Sequence, residues 1–105
     1  MNMKSREQAF ENKFAHDEAL KFKAEARRNK LLGLWAAELL GKDGADADAY
    51  AKTVVMADFD EPGDEDVFRK VRGDFDEAGV EQSDEAIRTA MVDLMGRAIA
   101  EIEAE

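Results

Sequence analysis

Residues 31–40 read LLGLWAAELL, a dense apolar stretch. Its large side chains recur every three or four residues, which is the spacing of one face of an α-helix. A pattern without proline extends backwards from this stretch to about Lys4, so the helix is predicted to begin well before it. The side chains predicted to face the core are Leu31, Leu34, Trp35 and Leu39.

The proline-free stretch that ends at Leu40 is too long for one helix of a compact domain. A helix from Lys4 would be roughly 55 Å long at about 1.5 Å per residue, and a domain of this size is narrower than that. The first part of the stretch is highly charged and has few apolar side chains. We therefore predict a bundle helix over 19–40 and an N-terminal arm over 1–18, a marginal helix that needs a partner to form fully.

Three more amphipathic helices are predicted at about 46–58, 64–78 and 84–103. Glycine-containing turns and the break Glu61-Pro62-Gly63 separate them. Four helices with short connections predict an all-α protein, a small four-helix bundle over 19–105. The predicted N-caps are Asp46, Asp64 and Ser83. The remaining predicted core residues are Tyr50, Val54, Phe68, Val71, Phe75, Ile87, Met91 and Leu94.

The charge of the chain is unevenly distributed. The 105 residues carry a net charge of -10, but residues 1–30 carry +3 and residues 31–105 carry -13. A basic arm on an acidic body suggests a molecule in two parts, in which the arm attracts an acidic partner, folds back on its own body or remains a solvated segment of mixed charge. The acidic body disfavours nucleic acid as a partner, because phosphates would be repelled.

Composition also disfavours several classes of function. The chain has no cysteine, which excludes disulfides, thiolate metal sites and cysteine nucleophiles. Its two serines are expected to be structural, and no pair of carboxylates stands out, so we predict no catalytic residue, no metal site and no enzyme. No segment approaches the ~18 apolar residues of a membrane span, and no apolar leader is evident. We therefore expect a cytoplasmic protein without direct membrane insertion.

Two ligands remain open from the residues alone. Two small basic groups could hold an anion such as a nucleotide if the fold brings them together: Arg27-Arg28-Asn29-Lys30, and Arg69 with Lys70 and Arg72. The simpler interpretation is that they pair with neighbouring carboxylates. The stretch from Asp74 to Glu85 matches a calcium-binding loop in part, but Ala78 stands at a ligand position.

The single histidine, His16, lies in the arm. Its imidazole could sense pH, because its charge changes near neutrality, although an ordinary exposed side chain is the simpler interpretation. One histidine does not make a zinc site without other strong ligands nearby.

Four segments of the chain resemble one family closely. They read KFAHDE at 13–18, FKAEARRNKLLGLWAA at 22–37, YA at 50–51 and DEDVFRKV at 64–71. These segments resemble the ζ subunit of alphaproteobacterial F1FO-ATP synthase, and the similarity extends over essentially the whole chain.

The resemblance implies a four-helix bundle and a regulatory subunit that inhibits ATP hydrolysis by the F1 head. In that family the N-terminal segment enters an α/β catalytic interface near the γ subunit. The partners implied are therefore the F1 α, β and γ subunits, which would place the protein at the inner membrane through F1. The resemblance also implies that the bundle binds ADP or ATP as a regulatory ligand, with no cofactor required, and that the free protein is a monomer.

By position, the inhibitory role carries over to the arm. The residues implied to contact F1 are Arg6, Phe10, Lys13, Phe14, Ala15 and His16. The nucleotide site is not mapped by the resemblance, and Arg27, Arg28, Arg69 and Arg72 are assigned to it from their charge. The alternative function is a helical domain that senses a nucleotide or calcium and regulates another partner.

Overall fold

The computed structural model describes residues 17–58 and 64–105. Within these residues the chain forms four α-helices and no strand: α1 (Glu18–Leu39), α2 (Gly44–Ala57), α3 (Glu65–Ala78) and α4 (Asp84–Glu103). The predicted all-α four-helix fold is confirmed. No helix in the described part of the chain is long and apolar enough to cross a membrane.

Most helix ends follow the sequence signals. The Asp17 carboxylate accepts hydrogen bonds from the backbone N–H groups of Ala19 and Leu20, and this caps α1. Gly41 and Gly79, at φ 78° and 74°, follow α1 and α3 in the left-handed conformation that glycine adopts without strain. The hydroxyl of Ser83 accepts a hydrogen bond from the N–H of Ala86 at 3.0 Å, as predicted for the N-cap of α4.

Two predicted caps behave differently. Asp46 is not the N-cap of α2, because the helix already begins at Gly44 and the carbonyl of Asp43 accepts from the N–H groups of Asp46 and Ala47. Asp64 occupies the N-cap position of α3, but its carboxylate makes no capping hydrogen bond. It binds Arg28 of α1 instead.

The core face of α1 differs from the predicted one. Leu39 is 37% exposed and the other three predicted side chains are half-buried. Apart from Leu32, the apolar core face of α1 is made of small residues, because α1 and α2 approach closely at Gly33. A Cβ atom on Gly33 would lie 2.5 Å from the Cα of Ala51. The α1 residues in the main core are Leu32, Ala36 and Ala37.

The other three helices supply the core that the periodicity predicts, with one exception. Leu94 is half-buried and packs against the edge of the core. Trp35 also lies at this edge, where its ring contacts Phe75 edge-to-face at a centroid distance of 5.8 Å. The buried residues from these helices are Tyr50, Val54, Val67, Phe68, Val71, Phe75, Ile87 and Met91.

Helix α1 is the centre of the fold. It packs against both α2 and α4, and these two helices do not contact each other among the described residues. A second, smaller core contains Ala24 and Ile102, packed by side chains of α1 and α4 alone. We call this paired region, residues 18–27 and 95–105, the stalk. The partly buried side chains of its core come from Leu20, Met95 and Ile99.

Candidate functional site

The stalk is the part of the structure to which the arm is attached. Residue 17 is the first described residue and caps α1, so residues 1–16 join the bundle at the end of the stalk. The predicted partner-binding residues, from Arg6 to His16, all lie outside the described residues. The structure therefore defines the base of the arm rather than its contacts.

Ion pairs clamp the stalk at its end. The Lys23 Nζ lies 2.6 Å from a Glu105 Oε, and the Arg27 guanidinium binds the same carboxylate. Arg27 also lies 3.9 Å from Glu101. Hydrogen bonds from Lys23 and then Arg27 lower the pKa of Glu105 below its ordinary value. These ion pairs, which we call the clamp, join the first turns of α1 to the C-terminal end of α4.

We expect Glu105→Gln to loosen the stalk without unfolding the bundle. The amide neither pairs with two cations nor carries charge, so opening of the first turns of α1 becomes easier. Amide hydrogen exchange over residues 20–24 should become several-fold faster. Glu103→Gln is the matched control, because Glu103 is exposed and forms no ion pair among the described residues. Equal exchange rates in both variants would contradict the clamp.

Acid should have the same local effect as this substitution. Because the folded pKa of Glu105 is lowered, its stabilising contribution is present above the ordinary value of about 4.5. The contribution is lost as pH falls through the lowered folded value. The protection factors of the stalk amides, which are exchange rates corrected for the pH dependence of the intrinsic rate, should therefore fall on acidification in the wild-type chain, whereas the Glu105→Gln variant should lack this component.

Arg28 is buried next to the stalk and is 2% exposed. Its Nε donates to the Asn29 Oδ1 at 2.7 Å, and its Nη2 donates to the Asp64 Oδ1 at 2.8 Å. The hydrogen bond from Arg28 lowers the pKa of Asp64. Nearby, burial raises the pKa of Glu25, and the Asp58 and Asp64 charges add to this effect. Arg28 thus fixes the start of α3 against α1.

The four arginines assigned to a nucleotide are all bound to carboxylates of the chain. Arg27 and Arg28 bind the residues named above. Arg69 binds Asp66 at 2.7 Å, and Arg72 binds Asp76 and Asp84. Among the described residues, no carboxylate pairs with an arginine of both groups. Nucleotide binding at these residues stays a prediction.

The carboxylates of the partial calcium-binding motif bind other side chains of the bundle. The Asp74 carboxylate accepts from the Tyr50 hydroxyl at 2.7 Å and from Lys70 at 2.8 Å. Burial and this hydrogen bond raise the pKa of Tyr50. Asp76 binds Arg72, and Gly79 ends α3 as a left-handed C-cap. Among residues 17–58 and 64–105, no group of three or more acidic or histidine side chains is arranged to hold a metal ion.

The sequence reasoning missed the roles of Glu101 and Glu105. Their partners lie 74 to 82 positions earlier in the chain, so no local spacing reveals them. A signal was nevertheless present, since the basic stretch before Lys30 and the acidic C-terminus have opposite charges. Antiparallel packing of the first and last helices brings these stretches together.

Comparison with known proteins identifies the family. The family model for ATPase inhibitor subunit zeta matches residues 1–101, which include the arm, the first three helices and α4 as far as Glu101. No curated protein matches the chain. Four chains of solved structures match. One of them, a solution NMR structure, is 52% identical, covers 81% of this chain and 96% of its own, and superposes with a TM-score of 0.73. The chain therefore belongs to the ATPase inhibitor subunit zeta family.

Proposed function

We propose that this protein inhibits ATP hydrolysis by the F1 head of an F1FO-ATP synthase, and that its arm is the inhibitory element. The observation that carries the proposal is the family match, which begins at residue 1 and so includes the arm. In this mechanism the arm enters an α/β catalytic interface near the γ subunit and blocks rotation in the hydrolytic direction. Such a block needs no catalytic residue in the inhibitor.

The composition of the arm suits insertion between subunits. Phe10 and Phe14 are four residues apart, so they form one apolar row if the arm is helical. A helix with such a row binds by placing it in a groove of the partner. Lys4, Arg6 and Lys13 would then meet acidic groups at the rim of the groove.

The stalk supports the proposal by fixing the base of the arm. Its small core and the clamp around Glu105 hold the first turns of α1 against α4. A fixed base lets the acidic bundle remain outside F1 while the arm enters. Binding of ADP or ATP by the bundle is a separate prediction, and it would add regulation to this mechanism without changing the role of the arm.

Inhibition of isolated F1 from the source organism tests the proposal. The full chain should suppress ATP hydrolysis, and Phe10→Ala with Phe14→Ala should weaken the inhibition by roughly a hundredfold. Burying one phenylalanine contributes about 1.5–3 kcal/mol, and about 1.4 kcal/mol is a tenfold change in affinity. Asn12→Ala is the control, since position 12 lies between the two aromatics on another face. Full inhibition by the doubly substituted chain would exclude aromatic insertion.

A further inference from the structure

A cleft between α1 and α2 carries two lysines at its edge. Its volume is about 560 Å³, and it lies beside the close contact of Gly33 with Ala51. The described residues that line it are Lys30, Asp48, Ala51, Lys52, Val55 and Met56. Met56 is 62% exposed, so the cleft presents an apolar side chain directly to solvent.

The two lysines differ from most other cations of the bundle. Every described arginine binds a carboxylate of the chain. Lys30 and Lys52 are exposed and form no ion pair with any described residue. Asp48 stands four positions before Lys52 on the same helix, yet the two side chains are not within ion-pair distance. Both ammonium groups are therefore available to a partner.

The chemistry of the cleft selects one kind of occupant. Two ammonium groups beside an apolar floor fit a segment that places an apolar side chain near carboxylates. A membrane surface fits less well, because the cleft is concave and residues 31–105 carry a net charge of -13. Nucleic acid fits less well for the same reason, since both would bring many negative charges against this acidic surface, whereas a short segment brings only the few carboxylates that the two ammonium groups neutralise. A second copy of the chain would have to bring its own acidic surface close to this one.

We propose that the cleft around Lys30, Lys52 and Met56 is a docking site for an acidic segment of a partner protein. The segment inserts an apolar side chain over Val55 and Met56, and its carboxylates pair with the two lysines. The site lies on the bundle and is separate from the arm, so it adds a second point of attachment. The partner is F1, so this inference rests on the proposed function.

Two variants of equal charge change test the docking site. Lys30→Gln with Lys52→Gln lowers the net charge by two, and so does Lys42→Glu, which changes an exposed lysine outside the cleft. Binding of each full-length variant to isolated F1 from the source organism is measured by biolayer interferometry. The double variant should bind roughly tenfold more weakly and with a smaller dependence on salt, whereas Lys42→Glu binds as wild type. Wild-type affinity in the double variant would overturn the docking site.

Hydrolysis measured on the same samples separates the two proposals. If wild type binds F1 in a lysine-dependent way but does not inhibit, the proposed function is wrong and the docking site stands. If wild type inhibits and the double variant binds unchanged, the docking site is wrong and the function stands. If wild type does not bind F1, both proposals are wrong.

Footprinting with a thiol reagent locates the contact directly. The chain has no cysteine, so Met56→Cys and Val92→Cys each introduce one reactive group. Val92 is 71% exposed on α4 and serves as the control. Binding of F1 should slow alkylation of the Met56→Cys variant by at least tenfold and leave the Val92→Cys variant unchanged. Protection of the Val92→Cys variant alone would place the interface on the other side of the bundle and overturn the proposal.

Discussion

Removal of residues 1–16 is expected to abolish inhibition of F1 while leaving the bundle folded. The shortened chain keeps Asp17, which caps α1, and it keeps both cores, since all their residues lie in the described helices. We expect at least a hundredfold loss of inhibition of ATP hydrolysis. The thermal midpoint should stay within a few degrees of the wild-type value, because about 1 kcal/mol shifts the Tm of a domain this size by roughly 4–8 °C.

The position of the cut matters for this test. A chain that begins at residue 19 also loses the carboxylate that accepts from Ala19 and Leu20, and such a cap contributes about 1 kcal/mol. Cutting before Asp17 separates loss of the arm from loss of the cap. If residues 17–105 inhibit F1 as strongly as the full chain, the arm is not the inhibitory element. The bundle surface, including the cleft around Lys30 and Lys52, would then carry the activity.

Local signals in the sequence predicted most of the fold because they report on local energetics. Glycines in the left-handed conformation and a serine cap mark the helix ends, and each acts within a few residues. The amphipathic stripe of α3 predicted the burial of Phe68, Val71 and Phe75 correctly. In that helix one face is apolar and the other is charged, so the periodicity has a single interpretation.

The same periodicity gave the wrong core face for α1, because the apolar residues of this helix lie on all sides of it. Residues 31–40 contain eight apolar side chains, and the core face was predicted from the large ones. The actual contact is decided by small residues, since Gly33 lets α1 approach the backbone of Ala51. Leu31 and Leu34 are then only half-buried and Leu39 is 37% exposed, whereas Leu32 is fully buried.

The candidate site was predicted less completely because its contacts are long-range. The arm was identified from its charge and its family resemblance, and both are properties of sequence. The clamp at Glu105 and the buried contact of Arg28 with Asp64 join residues that are distant in the chain. Such pairs follow from how the helices pack, so single-helix patterns assigned Arg28 to a ligand rather than to the interior.

Replacement of Gly33 by alanine should be strongly destabilising, although alanine is the better helix former. The added Cβ would lie 2.5 Å from the Cα of Ala51 and 3.0 Å from its Cβ. The obstacle is backbone in the facing helix, so α1 and α2 must move apart and loosen the core around Leu32 and Val54. Overpacking costs about 1–3 kcal/mol, and separation of two backbones should exceed the gain of about 1 kcal/mol in helix propensity. With the overpacking cost at the upper end of this range, about 3 kcal/mol, the net loss is about 2 kcal/mol and the Tm should fall by roughly 10 °C.

Gly73→Ala is the matched control for this effect. Gly73 lies in the interior of α3, is exposed, and has no described atom within 4 Å of the position of an added Cβ. At this position the substitution changes only the helix propensity, which is higher for alanine, so the Tm should rise by roughly 3–5 °C. The two substitutions are chemically identical, and opposite signs in thermal unfolding would isolate the contact of α1 with α2. A rise in Tm for both variants would mean that the two helices do not pack as closely as Gly33 and Ala51 indicate.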